Sequence, residues 1–279
     1  MSEAIPNTPS TEPARSDMDL LARVEADVRT AGLVLRERFT TVSPCAKRDT
    51  VEELMAVLEA NDKAVLDVLR PRLNRLRPGA RWVEDEFEGG ALPEGEWWIV
   101  DPAEGNINHV HAMPEWAITA TLVRDNAAVF SVVHLPLAGE TYTALAGGGA
   151  FLDGRALHVS GKTDLRLAVA ATSQARPGLA EATLERIGSS ITRMLLETLV
   201  VRVSVAGTLH LLNVAAGRMD VFWQYAGTRA DLLPGALLVT EAGGCVTDAE
   251  GRPWTPGSES LLAAAVPALH AQAVAALAR

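Results

Sequence analysis

The sequence has 279 residues, 48% of them hydrophobic, and a formal net charge of −10 at pH 7. This length and hydrophobic content allow one large folded domain or two smaller ones, and they exclude a chain that is disordered throughout. Because the charge is acidic and no basic stripe offsets it, we expect no binding to nucleic acid and none to an anionic membrane.

The sequence carries few features of a secreted or membrane protein. Its two cysteines, Cys45 and Cys245, are too few for a disulfide framework. The N-terminal residues lack the basic and then apolar layout of a signal peptide, and no run approaches the roughly 20 apolar residues of a membrane span. We therefore expect a cytoplasmic protein. Residues 1–17 are rich in Pro, Ser, Thr and Glu, which predicts a flexible N-terminal arm.

Two helices are predicted in the first third of the chain. Apolar residues recur at helical spacing over 17–39, which indicates an amphipathic helix. After a loop, Thr50 and Glu53 form a capping-box pattern before a second apolar series. Because proline disfavours a helix interior, we expect this second helix to end before Pro71. The two helices can cover one face of a sheet.

The middle of the chain has the pattern of short strands separated by turns. Strands are predicted at 97–100, 117–123, 128–135 and 141–145. Their short connections contain turn-forming residues, so we expect an antiparallel meander.

From about residue 165 extended and helical segments alternate. Strands are predicted at 167–171, 198–203 and 219–223, and helices at 179–187, 208–216 and 232–242. The two patterns together predict an α+β or α/β layered sandwich. We expect an N-terminal α+β half at 18–162 that binds metal and a smaller α/β half at 163–279 that completes the site.

The most informative stretch is WWIVDPAEGNINHVHAMP at 97–114, where an apolar strand runs into an acidic turn that contains a glycine. Asp101 stands at the end of the strand, and Glu104 and Gly105 follow in the turn. Carboxylate oxygens suit Mg²⁺, and backbone N–H groups beside a glycine can approach an anion without a Cβ in the way. The stretch therefore predicts a site for a hard cation and a phosphate.

Several segments, in order along the chain, resemble the inositol monophosphatase superfamily. DPAEGNINHVHAMP is similar to the family motif D-P-x-D-G-T-x-N at Asp101, Pro102, Gly105 and Asn108. Three later segments also resemble family motifs: GAFLDGRALHVS at 149–160, AGTLHLLNVAAGRMDVFW at 206–223 and ADLLPGALLVTEAGG at 230–244. The resemblance covers about residues 17–262. It implies the layered inositol monophosphatase fold and a Mg²⁺-dependent phosphatase that acts on a small-molecule phosphate.

The resemblance also implies a set of metal ligands. Asp101 would bridge two Mg²⁺ ions, and Ala103 would offer its backbone carbonyl. Glu104 stands where the family has its second Asp, and Asp231 stands at the N-terminus of a late helix. Two cations held by such acids can bind phosphate oxygens, activate a water and stabilise the leaving alkoxide. The alternative for Asp231 is an N-cap of a helix that begins at residue 232, and the two roles are compatible.

An acidic element upstream, RWVEDEFEGG at 81–90, resembles the paired acids that end a strand in the family. Aligned on the last acid of the pair, Asp85 is predicted as a metal ligand and Glu86 as a catalytic residue. The alternative is an ordinary solvated acidic loop, because Glu84, Glu88 and Glu94 are also nearby.

Four departures from the family pattern fall on important positions. The second motif acid is Glu104, the water-orienting Thr is Asn106, the Gly before the paired acids is Glu84, and the Trp before the late Asp is Ala230. Misplacing a catalytic group by about 1 Å can cost on the order of a hundredfold in rate, so the metal site must either be rebuilt around the longer Glu104 or be weaker. An amide cannot relay a proton as a hydroxyl does. The alternative function is therefore a divergent member that binds a ligand or catalyses a non-hydrolytic reaction.

The substrate side adds further candidates. Gln224 stands where many members carry an acid that binds a sugar hydroxyl, and His210 falls in a segment of usually small residues. Lys47, between the first two helices, is either a phosphate contact or a solvated surface lysine. With Gly105 and Asn106, these residues form the predicted phosphate and substrate site. The resemblance also implies a homodimer.

His109 and His111 form an H-x-H pair beside the motif. One interpretation is a transition-metal site or a general base. The other is that His111 makes a structural hydrogen bond while His109 points elsewhere, because residues in a turn need not share a face as they do on a strand. We favour the second interpretation.

Overall fold

The computed structural model describes residues 15–42, 49–84, 90–173 and 178–279. Within these ranges the helices are α1 (Arg15–Thr40), α2 (Val51–Leu76), α3 (Asn106–Val110), α4 (Glu181–Glu197), α5 (Gly207–Ala215), α6 (Arg229–Glu241) and α7 (Pro267–Leu277). The strands are β1 (Arg81–Trp82), β2 (Glu96–Glu104), β3 (Ala117–Arg124), β4 (Ala127–Leu135), β5 (Glu140–Leu145), β6 (Gly149–Leu152), β7 (Arg155–Ala156), β8 (Val169–Thr172), β9 (Val200–Val203), β10 (Val221–Tyr225), β11 (Cys245–Thr247) and β12 (Ser260–Ala264). Among the described helices, none has an apolar stretch long enough to cross a membrane.

The first sheet contains the predicted antiparallel meander. In the described part of the chain its strands follow the order β1 to β7, and each successive pair from β2 to β7 is antiparallel. β1 instead lies parallel to β2, with Trp82 opposite Trp98. The turn between β3 and β4 places Asp125 and Asn126 at positive φ, as a tight hairpin requires. The predicted strands at 117–123, 128–135 and 141–145 agree with β3, β4 and β5 to within one residue.

The second sheet is formed by residues after 165, where the alternating pattern begins. Its described strands follow the order β11, β12, β10, β8, β9. β8 is parallel to both β9 and β10, whereas β12 is antiparallel to β10 and β11. β9 therefore forms one edge of this sheet.

Helices and sheets stack in layers. One face of the first sheet packs on α1 and α2, through Ile118, Ala120 and Leu122 of β3. The other face shares a core with α5, α6 and the second sheet. α4 and α7 pack on the second sheet, where Met194 and Leu269 are fully buried. The predicted layered α+β fold is confirmed, whereas its division into halves at residue 162 stays a prediction.

α2 begins as predicted and ends later. The Glu53 backbone N–H donates to Thr50 Oγ1 at 3.2 Å, which is the expected cap. The prediction that the helix ends before Pro71 is wrong, because Pro71 lies inside it. A proline removes one helical hydrogen bond, but Leu69 and Leu73 on either side are fully buried against the first sheet. Burial of two leucines offsets the loss.

Two elements of the C-terminal half also differ from prediction. α4 continues ten residues past its predicted end at 187 to Glu197, because Ser190 and Met194 pack against the second sheet, where Trp223 Nε1 donates to Ser190 Oγ at 2.9 Å. Tertiary contacts thus override a weak local pattern. The predicted strand at 167–171 begins instead at Val169, since residues 165–167 form a 3₁₀ turn.

Candidate active site

β2 ends in a bulge that bears two carboxylates. Asp101 lies opposite Thr119 of β3 and Glu104 lies opposite Ala117, so three steps along β2 match two along β3. In a regular strand, residues three apart point to opposite faces, and the extra residue of a bulge removes this difference. Both side chains are nearly buried, with 7% of Asp101 and 3% of Glu104 exposed.

The backbone around Asp101 is fixed by two hydrogen bonds. The Ala103 N–H donates to Asp101 Oδ1 at 2.9 Å. The Asp101 N–H donates to Thr119 Oγ1 at 3.2 Å. The first bond holds the Asp101 carboxylate against the turn, and the second fixes the Asp101 backbone to β3. Ala103, whose carbonyl is a predicted metal ligand, lies between the two acids and is itself buried.

The third carboxylate comes from the first turn of α6. Thr228 is the N-cap of this helix, and its Oγ1 accepts from the Asp231 backbone N–H at 3.3 Å. The alternative in which Asp231 caps a helix that begins at residue 232 is therefore wrong. Thr208 Oγ1 also donates to the Asp231 carbonyl at 2.6 Å, which ties the starts of α5 and α6 together.

Asp101, Glu104 and Asp231 converge at one place. One carboxylate oxygen from each lies within 4.8 Å of the others. Hard oxygen donors of this kind suit Mg²⁺ or Mn²⁺. The structure thus brings together three of the predicted ligands, from a strand of the first sheet and a helix packed between the sheets.

Gly105 follows Glu104 at a position that excludes other residues. Its φ is 74°, in the left-handed region. A Cβ there would lie 2.6 Å from the Glu115 carbonyl oxygen and 3.2 Å from the Cβ of Ala206. The loop after β2 is therefore in close contact with the residue that precedes α5. This contact sets the spacing between Glu104 and the C-terminal half of the site.

Asn106, the predicted counterpart of a water-orienting Thr, is hydrogen-bonded to α2. Its Nδ2 donates to Asp62 Oδ1 at 2.9 Å and to the Leu58 carbonyl at 3.0 Å. Its Oδ1 accepts from Asn61 Nδ2 at 2.8 Å. Both amide hydrogens are thus engaged, and Oδ1 retains one lone pair for a further donor such as water.

Asp62 is a candidate catalytic residue that was not predicted. Burial raises the pKa of its carboxyl from 3.8 to about 6, although the hydrogen bond from Asn106 lowers it. Nearby Glu59 raises it further through charge repulsion. A carboxylate that titrates close to neutrality is suited to accept a proton. A signal was present in the sequence, because the polar pair Asn61 and Asp62 interrupts the apolar series of α2.

His109 and His111 do not form a joint metal site. The ring of His109 packs against Phe39 and Trp116 at centroid distances of 5.3 and 4.9 Å, and both of its nitrogens have partners inside the fold. Burial lowers the pKa of His109, which favours the neutral ring. His111 is exposed, and its Nδ1 donates to the Ile107 carbonyl at 2.8 Å. The structural interpretation of this pair is confirmed.

The predicted substrate-side residues lie around the start of α5. His210 is buried, with Nε2 at 2.9 Å from Ser204 Oγ, and burial lowers its pKa. Gln224 Oε1 and Ser173 Oγ are buried and have no hydrogen-bond partner among the described residues. A Cβ on Gly207 would lie 2.9 Å from each of these two oxygens. Two unsatisfied acceptors therefore border the same stretch of backbone.

Three predicted site residues lie outside the described ranges: Lys47, Asp85 and Glu86. Their roles stay predictions, and Cys45 is likewise outside. The described residues nearby show how the chain approaches the site. β1 runs parallel to β2, toward the end that carries Asp101. Arg229 of α6 donates from Nη2 to the Gly90 carbonyl at 2.7 Å. Glu84, at the end of this approach, is exposed and lies 2.5 Å from Arg70 Nη2.

Comparisons with known proteins give one consistent result. The chain matches the model of the inositol monophosphatase family over residues 17–279. It is 36% identical to an inositol-1-monophosphatase of Rhizobium meliloti over 200 residues, which are 71% of this chain and 74% of that protein. It is 32% identical to the Nus factor SuhB of Pseudomonas aeruginosa over 228 residues, which are 80% of this chain and 83% of that protein. The structure of an inositol monophosphatase from Anabaena has a TM-score of 0.78 at 24% identity and covers 94% of this chain and 96% of its own.

The layered fold and the family match define a phosphoric monoester hydrolase. The chain belongs to the inositol monophosphatase family. The resemblance that the sequence motifs indicated is therefore confirmed.

Proposed function

We propose that the protein is a Mg²⁺-dependent phosphomonoesterase that hydrolyses a small polyol, sugar or related phosphate. The observation that carries this proposal is the convergence of carboxylate oxygens from Asp101, Glu104 and Asp231 within 4.8 Å. The donor set fits the ion, because Mg²⁺ takes hard oxygen ligands. The Ala103 carbonyl and Asp85 are the further ligands that we propose. When bound, divalent ions would offset charge on the phosphoryl oxygens and lower the pKa of a water.

Residues of the chain would orient the phosphate and the attacking water, and one of them would accept a proton from that water. We assign a phosphate oxygen to the backbone N–H groups of the turn at Gly105, where β2 ends and α3 begins. Asn106 Oδ1 can accept a hydrogen bond from the attacking water, but an amide cannot take its proton. Asp62, which accepts from Asn106 Nδ2 at 2.9 Å, can take that proton directly. Glu86 is the second acidic group that we assign to this step.

Substrate recognition is assigned to the wall formed by Gln224 and Ser173. A buried polar atom without a partner costs about 1–3 kcal/mol. Neither oxygen is accessible in this structure, so the hydroxyl groups of a polyol or sugar would donate to Gln224 Oε1 and Ser173 Oγ, and remove this cost, only after the surrounding side chains shift. His210, which lies on α5 and stacks on Phe222, is a further residue that we assign to this side, and Lys47 is the cation that we assign to the phosphate.

The experiment that tests this function measures phosphate release. Inositol, sugar, nucleotide and histidinol phosphates would be screened with and without Mg²⁺. We expect turnover that requires the metal and that Asp101→Asn abolishes. Asp67→Asn is the matched control, since Asp67 is exposed on α2 and pairs with Lys63 at 2.6 Å. A folded protein that hydrolyses none of these substrates would refute the proposal.

A second candidate function is favoured by Asn106. Both of its amide hydrogens are bound to Asp62 and the Leu58 carbonyl, so it cannot replace the relay of a Thr hydroxyl. A divergent member would bind a ligand or catalyse a non-hydrolytic reaction. The double variant Glu104→Asp with Asn106→Thr distinguishes the two. A gain of phosphatase activity by orders of magnitude supports the divergent protein, and a loss supports a hydrolase with an adapted site.

We also propose that the protein is a cytoplasmic homodimer. Exposed aliphatic side chains cluster at the end of α4 and along the edge strand β9: Leu195, Leu196, Leu199, Val200 and Val203. Apolar patches on a folded surface favour association. Light scattering after gel filtration should give twice the chain mass, and Leu196→Glu with Leu199→Glu should give the monomer. Leu33→Glu, at an exposed leucine of α1, is the control. A monomeric wild type at micromolar concentration would exclude this part of the proposal.

A further inference from the structure

Behind Asn106 lies a hydrogen-bonded chain that links α1, α2 and the loop after β2. Arg38 Nε donates to Asn61 Oδ1 at 2.6 Å. Asn61 Nδ2 donates to Asn106 Oδ1 at 2.8 Å and to His109 Nδ1 at 3.1 Å. Asn61 is 1% exposed, so bulk water does not substitute for these partners. Every polar atom of the Asn61 side chain is therefore committed within the fold.

The direction of each bond in this chain follows from Arg38. A guanidinium has no acceptor, so the atom of Asn61 that faces Arg38 must be the amide oxygen. The NH₂ group of Asn61 then faces Asn106, whose oxygen must accept. His109 agrees with this direction, because its Nε2 faces the Leu35 carbonyl at 3.0 Å and must carry the hydrogen. Its Nδ1 is then an acceptor for Asn61.

The end of Asn106 that faces Asp62 is thereby fixed as the NH₂ group. One N–H is donated to Asp62 Oδ1 and the other to the Leu58 carbonyl. A rotated amide would set its oxygen against the Asp62 carboxylate and against a second carbonyl, with no hydrogen at either contact. It would also set its NH₂ group against that of Asn61. Three bonds would be lost at once.

We propose that Asn61, held by Arg38, is a positioning residue that fixes the Asn106 amide for the reaction. This inference rests on the proposed phosphatase function. With the amide fixed, Asp62 keeps a donated hydrogen bond that orients its carboxylate, and Asn106 Oδ1 keeps its remaining lone pair for the attacking water. Asn61 acts through Asn106 on the chemical step, so its loss affects kcat more than substrate or metal affinity.

Asn61→Asp is the sharpest test, because the carboxylate has the same shape and still accepts from Arg38. It has no hydrogen to donate, so Asn106 Oδ1 loses its donor and faces a carboxylate oxygen, which opposes the orientation that Asp62 and the Leu58 carbonyl favour. We expect kcat on the best substrate of the phosphate panel to fall tenfold or more, with KM and Mg²⁺ affinity within about twofold of wild type. Asn74→Asp is the matched control on α2, where Asn74 only accepts from Trp82 Nε1 at 2.7 Å. It should change none of these constants.

Two further measurements test the positioning role if Asn61→Asp fails to fold or if no activity is found. Arg38→Lys retains a cationic donor and should keep most of kcat, whereas Arg38→Met should lose it, so this pair serves if Asn61→Asp does not fold. Independently of activity, the side-chain ¹⁵N–¹H signals of Asn106, identified by their loss in Asn106→Thr, should move in Asn61→Asp and Arg38→Met and stay in place in Asn74→Asp.

The outcomes separate this proposal from the proposed function. If the wild type hydrolyses no phosphate, the function fails, and the Asn106 signals alone decide whether Asn61 and Arg38 hold the amide. If the wild type is active and Asn61→Asp keeps its kcat, or if the Asn106 signals do not respond, the positioning role is overturned. A fall in kcat with equal changes in KM and Mg²⁺ affinity would also overturn it, because that result indicates general loss of the site.

Discussion

Gly105→Ala tests the close approach between the loop after β2 and the start of α5. At a φ of 74° an alanine pays roughly 1–2 kcal/mol for the left-handed conformation. Its Cβ would also lie 2.6 Å from the Glu115 carbonyl oxygen, a backbone atom that can move only with its loop. Overpacking of this kind costs about 1–3 kcal/mol, so the total loss of unfolding free energy should be about 2–5 kcal/mol.

Gly139→Ala separates the two contributions. Gly139 lies between β4 and β5 at a φ of 70°, and a Cβ there would meet nothing within 4 Å. Gly139→Ala therefore loses only the unfolding free energy that the left-handed conformation costs an alanine. The entropy that alanine removes from the unfolded chain is the same for both variants. The excess loss at Gly105 measures the steric term.

Thermal unfolding of both variants, in the same buffer with EDTA, checks the reasoning. A loss of 1 kcal/mol lowers Tm by about 2–4 °C in chains of 150–250 residues. Gly105→Ala should therefore melt at least about 2 °C below Gly139→Ala, and phosphatase activity should fall only in the former. Equal Tm values for the two variants would show that the loop relaxes freely and that the contact with Ala206 does not set the site's spacing.

Three further predictions concern stability. Asp62→Asn should stabilise the metal-free protein above pH 6 by up to about 3 kcal/mol, because the raised pKa of Asp62 makes folding less favourable as pH rises from 3.8 to about 6. The gain in unfolding free energy should vanish below about pH 4. A gain that stayed constant in urea unfolding across this pH range would contradict the prediction. Pro71→Ala should raise Tm, since the restored N–H can bond to the Asp67 carbonyl and add about 1–3 kcal/mol; a lower Tm would mean that α2 needs the bend. Asp220→Ala should lower the free energy of unfolding in urea by about 3–5 kcal/mol, because this fully buried carboxylate accepts from Ser160, Lys162 and the Val169 N–H. A loss under 1 kcal/mol would show that these three interactions contribute little to stability.

Local pattern was sufficient for most elements of the fold. The predicted strands β3, β4 and β5 are separated by turn residues, so both their type and their bounds could be predicted, whereas β2 continues four residues past its predicted end at 100. α5 was predicted to within one residue, because Gly207 and Gly217 mark its two ends. The start of α6 was misplaced because two candidate caps, Thr228 and Asp231, are three residues apart, and only the structure shows which oxygen accepts. The ends of α2 and α4 depend on burial against distant strands, which no local pattern contains.

The candidate site was predictable only where its residues belong to a continuous motif. Asp101, Glu104 and Asp231 stand in recognisable segments, and the structure brings their oxygens together. Asn61 and Asp62 interrupt the apolar series of α2, but that interruption does not say what they contact, because their link to Asn106 exists only after α2 packs beside the loop. The bulge in β2 was also beyond prediction, since it is defined by pairing with β3.

The contact of Gly105 with Ala206 and the bond from Thr208 to Asp231 place the three acids on a seam between the two sheets. An ion held between β2 and α6 binds only when both elements are in place. It therefore couples their local opening into one cooperative event. Amide hydrogen exchange in β2 and α6 should then slow together when Mg²⁺ is added. Removal of the ion would let β2 and α6 fluctuate independently. The bound cation would thus stabilise the contact between β2 and α6 even between turnovers.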